Sequence, residues 1–532
     1  MTETTSVTQT ESANTYDSVP YESVPYATSN PSYMRAVGTL FKMNPAKIDE
    51  ARILEIGCAG GGNLIPIAVK YPKAKLLGID LSPVQIEIAQ KQAKEVGATN
   101  VEFKTVSVTD LNSSYGKFDY IICHGVLSWV PEDVRSAIFK ACGELLTDGG
   151  LAYISYNTLP GWNMVRTVRD MMLYHAAMFQ TPAEKIQQSR LLLDFVKDST
   201  PQQNNPYADM LKTESTILSQ QPDHYLFHDH LEHDNKQYYF HEFMAEANRH
   251  SLQYVADSNI ASMFLGNMPE SVSEKLKVVN DIVRTEQYMD FINNRRFRMS
   301  ILCRAGTPIN RDLNIDSVKE LYLNMRITPE KPMSEVPLED TTTQAVFYHQ
   351  GMKENNISTS SPVMKAALYT FVENMNFPLS FNDVVKAIAK KLPKAKAQEV
   401  EQEFGVNALR MVLSGHITIS EAPKFVNVVS KKPEVSALVR YQALNMPTLW
   451  VTNEMHERVA INIFDKYLLR YLDGKHSSED LATKMTEHVE GGELNITRDN
   501  KALENKEEIK KEITAAVTQT LEKLRIMALL VA

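Results

Sequence analysis

Between positions 52 and 63 the chain reads Arg-Ile-Leu-Glu-Ile and then Gly-Cys-Ala-Gly-Gly-Gly-Asn, an apolar run broken by four glycines in six positions. An apolar run that short, closed by glycines, fits a buried strand, and a helix is expected to open near Asn63. Glycine lets the backbone take positive φ and come close to a ligand. Strand, glycine turn and helix in that order open a parallel α/β unit, and in such sheets ligands lie beyond the carboxyl ends of the strands.

The pattern continues. Strands are expected at 75–79, 101–106, 120–123 and 151–155. Helices are expected at 83–96, with an apolar stripe through Val84 and Ile88, and at 132–146, ended by Asp148-Gly149-Gly150. Strands alternating with helices of this length give a parallel sheet covered on both faces. From 163 to about 200 the period is helical. Met164, Val168, Met171 and Met172 form a stripe best read as core. The Pro/Gln/Asn-rich stretch 199–206 breaks it, and strand-like runs follow at 251–256 and 297–304. Residues 329–340 are proline-rich and acidic, as expected of a linker. Residues 379–420 read helix, helix, strand. Residues 423–433 form another breaker, and helices are expected at 458–472 and 507–530.

At 532 residues the chain exceeds one core, and 43% hydrophobic, 23% charged and 8% aromatic residues describe a globular protein. A formal charge of −9 disfavours a nucleic-acid partner. Cys58, Cys123, Cys142 and Cys303 lack metal-ligand spacing, and reduced thiols fit a cytoplasmic location. No apolar run is long enough to insert into a membrane. Residues 1–15 have no basic or apolar region and read as a disordered tail, not a secretory signal. A short duplication follows, Tyr16-Asp17-Ser18-Val19-Pro20-Tyr21 and Glu22-Ser23-Val24-Pro25-Tyr26. The Asn495-Ile496-Thr497 sequon carries no weight in a cytoplasmic chain.

Two carboxylates specify the ligand. A nicotinamide dinucleotide site wants Gly-x-Gly-x-x-Gly at the turn. Here Ala59 holds the middle glycine position, and Glu55 stands inside the strand two residues before Gly57. A methyl donor with a cationic amino group has use for that carboxylate. Asp80 closes the second strand, where it can accept both ribose hydroxyls. It is less attractive as a helix cap, because Ser82-Pro83 already supplies the cap and the first-turn proline. Leu81 can pack on an adenine face.

Residues 52–157 resemble the class I S-adenosylmethionine-dependent methyltransferases. The resemblance implies a doubly wound, mostly parallel, seven-stranded Rossmann-like sheet and S-adenosyl-L-methionine as cofactor. In that family the Gly57-Cys58-Ala59-Gly60-Gly61-Gly62 loop would wrap the methionine moiety, Glu55 order its ammonium through water, and Asp80 bind ribose. Where many members place an acid, this chain has Ser107, so Ser107 and the Val108 amide would serve the adenine, with Asp110 three residues on. His124 falls where the family lines the methyl end. The family sheet closes with an antiparallel strand, so 251–256 and 297–304 are expected to be its last two strands. Residues 163–250 would then be a helical insertion over the substrate mouth.

A narrower resemblance rests on residues 16–31, on Ser155-Tyr156-Asn157-Thr158-Leu159-Pro160-Gly161-Trp162 and on Phe227-His228-Asp229-His230-Leu231-Glu232. These are similar to the rickettsial-type protein lysine methyltransferases that modify outer membrane protein B. That group has a methyltransferase regulatory region in its middle and winged-helix-like modules at its C-terminus. The implied organisation is 1–162, an N-terminal segment with the cofactor-binding α/β half; 163–310, the helical insertion and closing strands; 311–340, a linker; 341–430, a winged-helix-like module; and 431–532, a second small module. The implied partner is a lysine-bearing protein such as outer membrane protein B; a homodimer stays open.

Six histidines, His224, His228, His230, His233, His241 and His250, cluster in one segment without a familiar metal pattern, and no metal is expected. Residues 380–424 hold seven basic residues against five acidic ones, too weak a face for nucleic acid, so protein docking is favoured. Methyl transfer to an amine needs a neutral nucleophile about 3 Å from the methyl, with water excluded. Tyr156, Asn157, Trp162 and His124 stand past the strand ends where the amine would come, with 228–232 as the opposite wall. The alternatives are a methyltransferase for a small molecule or nucleic acid, or a cofactor-binding scaffold without catalysis.

Overall fold

The computed structural model describes residues 22–352, 354–495, 497–498, 501–502 and 505–532. The tail 1–15, the first copy of the duplication and part of the sequon lie outside the described residues.

A helix α1 (Pro31–Leu40) precedes the first β-α units: β1 (Arg52–Ile56), α2 (Leu64–Lys70), β2 (Lys75–Asp80), α3 (Pro83–Glu95), β3 (Val101–Thr105), β4 (Phe118–Cys123), α4 (Glu132–Leu145) and β5 (Leu146–Asn157). Two expectations shift. The strand expected at 151 begins at Leu146, directly after α4, and its pairing with β4 is irregular between Phe118 and Tyr120, which absorbs the two glycines. Helix α3 buries Ile86, Ala89 and Ala93, while Val84 and Ile88 stay 39% and 45% exposed. The small alanines let the helix lie close on the sheet, so the face with the bulkier residues turns outward.

Helices α5 (Trp162–Ala176), α6 (Pro182–Ser199), α7 (Pro206–Ser219), α8 (Asp223–His230) and α9 (Phe240–Arg249) follow, then β6 (Leu252–Asp257), α10 (Glu270–Lys277), α11 (Ile282–Asn293) and β7 (Phe297–Arg304). Of the expected α5 stripe, Val168 and Met172 are buried and Met171 packs against the same core, while Met164 is exposed and Val165 is buried beside it in the chain. The seven strands run in the order β3-β2-β1-β4-β5-β7-β6, with β7 antiparallel to both neighbours. The runs at 251–256 and 297–304 are therefore the closing strands. Arg298, fully buried on β7, anchors that edge: it bonds Glu286 at 2.8 Å and Asp290 at 2.8 Å on α11, and stacks over Phe240 at 4.0 Å.

The segment read as a 311–340 linker is built into the fold. Its β8 (Tyr322–Asn324) and β9 (Ile327–Pro329) pair into two small sheets, β8 with β12 (Leu379–Ser380) and β13 (Thr418–Ser420), and β9 with β10 (Ala345–His349), which also pairs with β11 (Asn356–Thr359). Lys365 reaches back from α12 (Pro362–Glu373) to the carbonyls of Pro337 and Asp340. Backbone polar groups near a core need partners, and these supply them. Helices α12, α13 (Phe381–Lys391) and α14 (Ala397–Leu413) complete a unit whose core is continuous with that under the large sheet. A second unit holds α15 (Ala437–Asn445), the hairpin β14 (Trp450–Thr452) and β15 (Arg458–Ala460), α16 (Ile463–Leu469), α17 (Ser478–Glu490) and α18 (Lys506–Ile526), around its own core. The helix expected from 458 thus starts only at Ile463, because Arg458–Ala460 pairs as a strand with β14. No helix among the described residues is long and apolar enough to cross a membrane.

Candidate active site

A cavity of about 560 Å³ opens at the carboxyl ends of β1, β2, β4 and β5 and continues under the helical insertion. That volume lies within the range of about 300–1,000 Å³ usual for ligand sites. One end is built by the glycine turn. Gly57 has φ +72°, and a Cβ there would meet Val126 at 2.4 Å, so both conformation and space require glycine. Ala59 adopts φ +43°, and its amide donates to Asp80 Oδ2 at 2.9 Å, which is how a non-glycine holds the middle position. Asp80 Oδ1 accepts from the Ser82 amide at 2.9 Å.

Glu55 is buried on β1. Its Oε1 accepts from Asn63 Nδ2 at 2.7 Å, while Oε2 has no partner among the described residues. Desolvation pushes its pKa up to about 8, the Asn63 hydrogen bond opposing this and the Asp80 charge adding to it. An orphaned buried carboxylate oxygen beside a cavity asks for a cation. Glu55, Gly57, Cys58, Asp80, Leu81, Ser107 and Val108 all line this end.

Gly60 and Gly62, expected to wrap the ligand, do not line the cavity. A Cβ on Gly62 would lie 2.1 Å from the Ser23 carbonyl oxygen, and its amide donates to Ser23 Oγ at 2.7 Å. Gly62 thus admits the incoming N-terminal strap, which lines the cavity through Ser23, Val24 and Tyr26, while a Cβ on Gly60 would press on Gln85 and Ile88 of α3.

His124, past β4, lies against Tyr26 with ring centroids 3.8 Å apart, and its Nδ1 is 2.9 Å from the Tyr153 hydroxyl. Burial pushes its pKa down to about 4, so the ring is neutral near pH 7. Beyond it the cavity is walled by aromatic rings. Trp162 meets Trp129 edge to face at 6.1 Å, and its Nε1 donates to Asn235 Oδ1 at 3.0 Å. Asn157 lines the cavity, and its Nδ2 is buried without a partner among the described residues.

Tyr156 is misplaced by the sequence reading. It is 1% exposed on the opposite face of β5, stacked on Phe243 at 4.0 Å, its hydroxyl 3.2 Å from Ser300 Oγ. Neighbouring strand residues point to opposite faces, so Tyr156 belongs to the core and Asn157 to the cavity.

The insertion supplies the far wall through His228, Asp229, His230 and the buried Glu214, which pairs with Arg296 at 2.6 Å. Desolvation raises the Asp229 pKa to about 7, the neighbouring His228 opposing it. His228 Nδ1 lies 3.1 Å from Glu232 Oε1. His241 pairs with Gln287, and His250 stacks on Phe139. No group of three or more His, Cys, Asp or Glu among the described residues is arranged to hold a metal. The four cysteines are free and buried. Tyr26, Trp129, Arg296 and Phe297 were not singled out from sequence. Each comes from a loop or strand end distant from the glycine turn, and only the duplicated Val-Pro-Tyr marked Tyr26.

Comparison with known proteins agrees with this geometry. Residues 53–150 match a family described as a methyltransferase domain, residues 222–304 a predicted methyltransferase regulatory domain, and residues 431–529 the PKMT C-terminal winged helix domain. An uncharacterized protein of Rickettsia prowazekii is 52% identical, over 97% of this chain and 94% of the relative. The solved structure of PKMT2 from Rickettsia typhi superposes with a TM-score of 0.88 at 38% identity, over 96% of this chain and all of that one. The same protein in complex with AdoHcy superposes equally well, with a TM-score of 0.88 at 39% identity and the same coverage.

Proposed function

Because the chain belongs to the S-adenosylmethionine-dependent methyltransferases of the rickettsial PKMT type, we propose that it methylates lysine side chains of a protein, with a bacterial outer membrane protein as the target. The observation that carries the lysine reading is the two-ended cavity. Its donor end has the unpartnered Glu55 oxygen and Asp80; its acceptor end is walled by Trp129, Trp162 and Phe297 and carries Asp229. Aromatic faces and a carboxylate suit an ammonium and its methylated products.

Bound S-adenosylmethionine supplies an electrophilic methyl on a sulfonium. The chain's own residues do the rest. Glu55 would hold the ammonium of the methionine moiety, Asp80 the ribose hydroxyls, and Ser107 with the Val108 amide the adenine. His124, neutral and fixed by Tyr153, adds no positive charge near the sulfonium. A lysine amine, ordinarily protonated below about pH 10, must lose its proton before attack. Asp229, whose pKa burial raises to about 7, would receive it. Asn157 Nδ2 and the two tryptophans would orient the chain carrying the amine. The insertion over the mouth excludes water.

The test is incubation with methyl-tritiated cofactor and separate protein, nucleic-acid and small-molecule fractions of a bacterial envelope extract. Label released as methyl-lysine after protein hydrolysis is expected. Label confined to nucleic acid or small molecules would remove the lysine assignment, and no transfer to any fraction would favour a scaffold.

A further inference from the structure

The hairpin β14–β15 of the C-terminal winged-helix module does not project into solvent. Its tip residues Asn453, Glu454 and His456 are at most 8% exposed. The hairpin meets the cofactor domain at three places. Lys70, at the end of α2, donates to the Glu454 carbonyl. Trp450 Nε1 donates to Glu22 Oε1 at 3.1 Å, with Arg458 3.6 Å from Glu22 Oε2, and Glu22 lines the cavity. His456 Nε2 lies 2.7 Å from Asn63 Oδ1.

Asn63 connects that histidine to Glu55. It occupies the N-cap of α2, where asparagine ordinarily bonds the first-turn amides, yet it makes no side-chain cap bond. Its Nδ2 instead donates to Glu55 Oε1 at 2.7 Å, and its Oδ1 accepts from the Tyr26 amide at 3.0 Å. A backbone N–H can only donate, so the amide oxygen is on that side, and His456 Nε2 must carry the proton it shares with Asn63. Burial and then the Lys70 charge push the His456 pKa down to about 3, so the ring is a neutral donor. Its backbone is left-handed, φ +63°, a conformation that surrounding contacts must impose on a residue other than glycine.

We infer that His456 is a positioning residue for the cofactor site: through Asn63, the hairpin fixes Glu55 in the orientation that leaves Oε2 for the cofactor's ammonium, so affinity for S-adenosylmethionine requires the seated hairpin. This rests on the reading of Glu55 as the ammonium-binding carboxylate. The C-terminal module then acts on the cofactor site itself. A substrate that shifts the hairpin changes cofactor affinity, and by linkage the cofactor changes the hairpin.

His456→Gln keeps a donor of similar reach; His456→Met keeps a comparable length and volume with none. In the 532-residue chain, AdoHcy affinity by calorimetry should fall about tenfold in His456→Met and stay within about threefold of the unmodified chain in His456→Gln. The KM for S-adenosylmethionine should rise in parallel, with kcat at saturating cofactor nearly unchanged. On a Glu55→Gln background the two substitutions should become equivalent. If both His456 variants fold and bind AdoHcy equally well, the relay is wrong. If Glu55→Gln alone binds as well as the unmodified chain, the Glu55 reading fails instead. Should His456→Met not fold, amide exchange of the unmodified chain decides. AdoHcy should slow exchange at residues 453–457 as well as around the glycine turn, and an unchanged hairpin would overturn the coupling.

Discussion

Replacing Glu55 by glutamine should make the ligand-free protein more stable in mild alkali while weakening its hold on the cofactor. Glu55 is 3% exposed, and burial raises its pKa from 4.5 to about 8. A carboxyl raised in the folded state contributes stability that is fully present below the unfolded value of 4.5 and is lost as pH rises through the folded value of about 8. That displacement corresponds to about 5 kcal/mol between the two limits and about 3 kcal/mol already at pH 7. Glutamine has the same shape, can still accept from Asn63 Nδ2, and does not ionise. The variant should therefore match the unmodified chain near pH 4.5 and exceed it increasingly toward pH 8. Affinity should move the other way, because a charge-assisted contact worth about 1.5–3 kcal/mol is lost, about ten- to a hundredfold. Since the ligand's cation demands the ionised carboxylate, AdoHcy binding at pH 7 should also release a proton from the unmodified chain and none from the variant. Urea unfolding at several pH values, with calorimetry in buffers of different ionisation enthalpy, measures all three effects. Identical pH dependence of stability in the two chains, with AdoHcy affinity within threefold, would refute the reasoning.

Asn157→Ala should lower turnover while AdoHcy affinity stays within about threefold, about 0.65 kcal/mol; Tyr156→Phe, which loses only the Ser300 contact, should turn over normally and lose about 1 kcal/mol of stability. Steady-state kinetics of the pair checks which face of β5 meets the substrate. Asp229→Asn should lower kcat by about a hundredfold and abolish the rise of turnover with pH through about 7 that ionisation of this carboxyl gives. A pH–rate profile unchanged by the substitution would exclude Asp229 as the proton acceptor. Arg298→Met should destabilise the closing edge of the sheet by about 3–5 kcal/mol, because Glu286 and Asp290 lose their buried counter-charge. Burial holds both carboxyls above their ordinary range, so acid that protonates them should shrink the loss, as urea midpoints at pH 5 and pH 7 would record.

The local pattern was sufficient for much of this protein. A five-residue apolar run followed by glycines sets a strand and a turn within a few residues of each other, so β1, its loop and Asp80 could be placed from neighbours in sequence alone. The closing strands at 252–257 and 297–304 were legible from their apolar character once the sheet needed an antiparallel edge. Strand alternation also forbids Tyr156 and Asn157 from sharing a channel, a constraint present in the sequence. Which of the two faces the cavity depends on which side of β5 receives helices α5 to α8 and which receives α9, and that is a packing outcome.

The remaining site features are set by contacts far apart in the chain. Gly62 reads as a ligand glycine but serves the approach of Ser23, 39 residues earlier. The 311–340 stretch has linker composition, yet its backbone finds strand partners tens of residues away. His456 lies 393 residues from Asn63, on a turn with no motif of its own. Sequence periodicity reports how a segment meets an average interior. It carries nothing about which distant residue completes a hydrogen bond, because that is fixed only when separate cores close against one another and each buried polar atom must find a partner.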